Sequence, residues 1–124
     1  MIVVNRYRVD DAGGHEFLAK AKPALGALAG RPGFLDGHVG RSTDDPTSWV
    51  VVTRWESVGA YRRALSAYEV KVHAVPLMYS AIDEPGAYEV LLEHAAGRLS
   101  AHVSDLAVPA GDTLGDPREP PSGA

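Results

Sequence analysis

Apolar and polar residues alternate from Ile2 to Val9, and the run is rich in β-branched side chains, so it predicts a strand. Val3, Asn5, Tyr7 and Val9 share one face of it, and Ile2, Val4, Arg6 and Arg8 share the other. After the turn formers Asp10 to Gly14 the period changes. Phe17, Leu18, Ala21, Leu25 and Leu28 recur at helical spacing between His15 and Ala29, with Pro23 expected to kink or restart the helix. Gly30, Pro32 and Gly33 end it. A second strand is expected from Phe34 to Arg41, where Gly37 and Gly40 predict a bulge or a close approach. Ser42 to Thr47 reads as a hairpin loop, and Ser48 to Trp55 is the strongest strand pattern in the chain. Ser57 is placed to cap a helix from Val58 to about Ala74, with Tyr61, Leu65, Tyr68 and Val72 on its inner face. Pro76 breaks that helix and opens a short one to Ile82. Asp83 to Gly86 is a turn, and Ala87 to Glu93 is expected as a fourth strand.

Strand, helix, strand, strand, helix, strand is the order of a split βαβ, ferredoxin-like α+β fold. It predicts a four-stranded antiparallel sheet with both helices on one face. By alternation the other face carries Val4, Leu35, Val39, Val50 and Val52. Pairing two such faces across a twofold axis would remove them from water, so a homodimer is expected. The domain is read as residues 1–94. Residues 95–124 contain four prolines, four glycines and no aromatic residue, and are expected to form a disordered Pro/Gly-rich tail.

Composition narrows the function classes. The 124 residues carry 12 Lys and Arg against 16 Asp and Glu, a net charge of -4, which argues against a nucleic-acid partner. No cysteine is present, which excludes disulfides, thiolate metal sites and a thiol nucleophile. No apolar run approaches the roughly 20 residues of a membrane span, so no membrane partner and a cytoplasmic location are expected. Phosphate-cradling and dinucleotide-binding glycine patterns are missing, as is a second histidine for a helical zinc pair with His15.

Three segments carry a resemblance. Val3-Val4-Asn5-Arg6-Tyr7-Arg8-Val9, Arg31-Pro32-Gly33-Phe34-Leu35 and Val51-Val52-Thr53-Arg54-Trp55-Glu56-Ser57, the last followed by Ala60-Tyr61, stand in the order and spacing of antibiotic biosynthesis monooxygenase (ABM) domains. The chain resembles that family over residues 1–94, which implies a dimeric α+β barrel. The resemblance implies three readings. The first is a cofactor-free monooxygenase that oxidises a small aromatic, phenol- or anthrone-like, substrate with molecular oxygen. The second is a haem-binding or haem-degrading enzyme with His73 as axial ligand and Asn5 over the ring. The third is a non-enzymatic dimer that binds a small ligand.

For the first reading the candidate catalytic residues are Asn5, Trp55, Tyr61 and His73, with no metal. Trp55 and Tyr61 stand six residues apart, as an aromatic pair does in the anthrone-oxidising branch. Tyr7, His38, Thr53, Leu65 and Tyr68 are expected to contact substrate. These residue types suit such a reaction, because a buried phenol must become an electron-rich anion, which needs a base, hydrogen-bond donors and a dry pocket. His38 is a candidate base, provided that no bulge shifts its parity. Val51 stands where the anthrone-oxidising branch carries an asparagine. Ala64 stands where the haem-degrading branch carries a tryptophan.

Overall fold

The computed structural model describes residues 1–104; the remainder of the expected tail, 105–124, lies outside the described residues. The chain divides into two compact units, Met1–Tyr88 and the part from Glu89 onward.

In the first unit β1 (Ile2–Arg8) is followed by α1 (Gly14–Ala29), β2 (Phe34–Arg41) and β3 (Ser48–Trp55). Three short helices come next: α2 (Val58–Leu65), α3 (Tyr68–His73) and α4 (Val75–Tyr79). The two-residue strand β4 (Ala87–Tyr88) closes the unit. The sheet is antiparallel with order β2-β3-β1-β4, the ferredoxin-like arrangement. β1 lies against β3 along its whole length, from Ile2 opposite Arg54 to Arg8 opposite Ser48.

Alternation places Val3, Tyr7, Trp49, Val51, Thr53 and Trp55 on one buried face. They pack against Phe17, Ala21, Ala24 and Leu28, which share a stripe of α1. Pro23 does not interrupt α1, because it sits on the exposed side while this stripe holds the helix to the sheet. Gly33 ends the following turn at φ +89, and a Cβ there would fall 2.5 Å from Ala60 Cβ. Only glycine permits both the backbone angle and the approach of β2 to α2.

Two differences from the sequence expectation decide which side chains meet. β2 contains a bulge: Phe34 opposes Trp55, but Asp36 opposes Arg54, leaving Leu35 unpaired and 49% exposed. From there the parity of β2 is inverted. Gly37 and Val39 face the helices, while Asp36 and His38 lie on the opposite face beside Arg54 and Val52. There Arg54 Nε donates to Asp36 Oδ1 at 2.9 Å and holds that carboxyl below its ordinary range, chiefly through this hydrogen bond.

The second difference is in the expected helix from Val58 to Ala74. Ser57 caps α2, its Oγ accepting from the Ala60 amide at 3.0 Å. The helix then stops at Ser66, and Ala67 is extended at φ −71, ψ 141. The break resets the helical phase. Val70 and Ala74 turn inward, where Val70 is 0% exposed, and Tyr68 and Val72 turn out.

The second unit contains a hairpin of β5 (Leu92–Ala95) and β6 (Arg98–Ala101). Its turn residues, Ala96 and Gly97, both have positive φ (52 and 73), which matches the twist of a two-residue hairpin turn. The fourth strand of the main sheet therefore ends at Tyr88 rather than Glu93, and the boundary expected at residue 94 falls inside this hairpin. No helix among the described residues is long and apolar enough to cross a membrane.

Candidate active site

Between the inner sheet face and the helices of the first unit lies a narrow, mainly apolar cavity. The sheet supplies the polar part of its wall: Asn5 and Tyr7 from β1 and Thr53 from β3, with Tyr61 of α2 beside them. The helices supply hydrocarbon, chiefly Leu25 and Leu28 of α1 and Leu77 and Met78 of α4. The free space is about 20 Å³, room for about one water molecule.

Each polar group has a definite state. Tyr7 and Tyr61 are buried, yet neither hydroxyl bonds to a described residue, and no fully buried side-chain polar atom lacks a partner. Both hydroxyls therefore keep accessible surface, which the cavity provides. Burial pushes the Tyr7 phenol up to about 12, with the neighbouring Tyr61 adding to the effect, and burial raises Tyr61 as well. At neutral pH both are protonated hydrogen-bond donors, not bases. The Asn5 carboxamide also makes no hydrogen bond to the described residues. Thr53 Oγ1 accepts from Trp55 Nε1 at 2.9 Å, so its own proton is directed elsewhere.

Four of the nine sequence candidates thus converge: Asn5, Tyr7, Thr53 and Tyr61. Trp55 stands behind them. It is 1% exposed, packs at 5.5 Å against the tilted ring of Tyr61 and at 5.3 Å edge-on to Phe34, and does not line the cavity. Leu65 packs on the same core cluster without lining the cavity.

The other three lie elsewhere. His38 is on the opposite sheet face because of the bulge at Leu35. Tyr68 is 76% exposed because of the break at Ala67. His73 lines a separate open groove with Arg31, Gly26 and Ala27, its Nε2 3.3 Å from Glu69 Oε2. His73 and Asn5, expected to flank a haem ring, therefore line different cavities, and the residues present do not fit that arrangement.

Sequence reasoning missed Leu77 and Met78. Pro76 signalled the short helix that carries them, but not which way it faces.

A ferredoxin-like sheet with an apolar cavity between sheet and helices, edged by phenols and a carboxamide, defines a small α+β domain whose function must be argued from that site. The chain belongs to the antibiotic biosynthesis monooxygenase family, whose sequence profile matches residues 1–74. Two solved structures of SnoaB, a cofactor-independent oxygenase from Streptomyces nogalater, are similar to it. One is 30% identical over 73% of this chain and 94% of that one, with TM-score 0.58. The other, a single-substitution variant, is 29% identical over 72% and 90%, with TM-score 0.62. A conserved protein from Methanosarcina mazei Go1 shares the fold at 19% identity, covering 69% of this chain and 84% of that one, with TM-score 0.57. No match was found among curated proteins.

Proposed function

We propose that this protein is a cofactor-independent monooxygenase acting on a small phenolic or anthrone-like aromatic. The observation that carries the reading is the convergence of Asn5, Tyr7 and Tyr61, none hydrogen-bonded through its side chain to a described residue, in a mainly apolar cavity. The likeness to SnoaB supports it.

The chemistry needs no external reductant. A substrate methylene activated by an adjacent phenolic ring system loses a proton, and the anion passes one electron to oxygen. The two radicals combine to form the C–O bond, and loss of water leaves a carbonyl. Overall CH2 and O2 become C=O and H2O, with every electron drawn from the substrate. The protein's part is to bind the anion, donate hydrogen bonds to its oxygen from Tyr7, Tyr61 and Asn5, and keep the site dry. Among the described residues the cavity wall contains no carboxylate and no imidazole, and its phenols stay protonated at neutral pH. On this reading the substrate is taken up as its anion.

The test is oxygen uptake by metal- and flavin-free protein with 1,8-dihydroxyanthrone. Turnover is expected, with kcat/KM rising as the substrate ionises. Asn5→Ala or Tyr61→Phe should lower it about ten-fold each, the value of one hydrogen bond to a charged group. Saturable binding without oxygen uptake by this or simpler phenols would replace the proposal with the ligand-binding reading.

The protein is also proposed to act as a homodimer. On the sheet face away from the helices, Ile2, Val4, Val50 and Val52 are only half-buried and adjoin the Arg6–Glu84 and Arg54–Asp36 pairs. An apolar centre with a self-neutralised rim suits contact with a copy of itself.

A further inference from the structure

We infer that Gly86 is a positioning residue for the proposed site, and that its missing side chain leaves room for the Asn5 carboxamide at its place on the cavity wall. A Cβ at Gly86 would lie 2.6 Å from Asn5 Oδ1 and 3.0 Å from the Val4 carbonyl oxygen. The backbone at Gly86 does not demand glycine, because its φ lies outside the left-handed region. Space alone demands it.

The segment that carries Gly86 is tied to β1 on both sides of the glycine. The Val4 amide donates to the Gly86 carbonyl at 2.6 Å, and the Ile82 amide donates to the Arg6 carbonyl at 2.8 Å. Arg6 grips Glu84 with both Nε and a terminal nitrogen, at 2.6 and 2.8 Å. Ala87 pairs with Val3 immediately afterwards. With the backbone tied on both sides, the cheapest relief for an added methyl is movement of the end of the Asn5 side chain, the nearer of the two contacts. A Gly86→Ala chain is therefore expected to keep its sheet and lose the orientation of one carboxamide. The inference rests on the proposed role of Asn5.

The sequence makes the test direct. Asn5 is the sole asparagine of the chain and there is no glutamine, so the side-chain NH2 pair in an amide ¹⁵N–¹H spectrum belongs to Asn5 without assignment. The probe is 1-naphthol, titrated into the whole chain and into Gly86→Ala, Asn5→Ala and the double variant. The wild-type NH2 pair should move saturably. In Gly86→Ala it should stop responding and affinity should fall about five- to ten-fold. In the Asn5→Ala background, adding Gly86→Ala should change affinity less than about two-fold. Equal losses in both backgrounds would overturn the inference, since Gly86 would then act through the strand rather than through Asn5.

If Gly86→Ala alone fails to fold, the double variant decides. Recovery supports a clash with the carboxamide, and continued failure places the clash at the Val4 carbonyl and overturns the inference. A wild type that does not bind 1-naphthol counts against the proposed function alone. A crystal structure of Gly86→Ala then reads the positioning claim directly. A carboxamide rotated away over an unchanged sheet supports it. A carboxamide in place with segment 82–88 displaced overturns it.

Discussion

At Tyr7 a phenol is enclosed by Phe17 at 4.9 Å, held under α1, and left with its hydroxyl in the cavity. Desolvation raises it to about 12, so folding holds a proton there that the unfolded chain releases near its ordinary value of 10. Its contribution to stability is complete below pH 10 and is lost as pH climbs towards 12. Thermal melts of the wild type should fall across that window by an amount on the order of 2 kcal/mol. Melts of Tyr7→Phe should be flatter there, because the pair of states that differ in proton uptake is gone. A wild-type melting temperature that is constant from pH 10 to 12 would contradict the enclosed phenol. The same burial bears on chemistry: the Tyr7 phenol stays protonated well above neutral pH, so it is available as a hydrogen-bond donor and not as a base.

Among the elements, the segment after Ser57 shows where local pattern stops being informative. Ser57 and the first turn of α2 were legible, because a capping serine followed by apolar residues at helical spacing has a local cause. At the break, Ser66 and Glu69 stand at capping-box spacing, but the Ser66 hydroxyl donates to the Arg63 carbonyl instead, and the interruption answers to how Val70 and Ala74 meet the core. One shift of phase removed Tyr68 and His73 from the cavity and brought in Ala74. The order of two valine truncations tests this. Val70→Ala should cost about 2 kcal/mol in chemical denaturation, the transfer of two methyl groups plus a small cavity. Val72→Ala, 45% exposed, should stay within about 0.5 kcal/mol. An uninterrupted helix would reverse the order. The bulge at Leu35 is the parallel case in β2. Glycines at 37 and 40 signalled an irregularity, but its position two residues earlier decided the side on which His38 emerged. β1 and β3, whose regular alternation met no interruption, delivered Asn5, Tyr7 and Thr53 where the pattern put them.

For the molecule as a whole, the sheet has two faces with different fates. One is closed by helices and encloses the cavity. The other keeps Val4, Val50 and Val52 half in water, ringed by ion pairs that are themselves largely exposed and contribute little to the stability of a single chain. Light scattering should return twice the chain mass of 13.1 kDa. Val52→Asp, which sets a charge at the centre of the face opposite His38, should return the single-chain mass with the secondary structure intact. A wild type that is monomeric at tens of micromolar would leave this face without its proposed partner.

The roof of the cavity is the least anchored wall of the first unit. Leu77 and Met78 project from α4, a five-residue helix in which no residue is buried. Val75, Leu77 and Met78 of α4 are half-buried against the core, whereas α1 buries Phe17, Ala21, Ala24 and Leu28 outright, so lifting α4 would uncover less than moving α1. A substrate larger than the one water molecule for which the cavity has room would need such a movement to enter. On the proposed function, the choice among aromatic molecules would then depend on how often a single helical turn lifts as much as on shape.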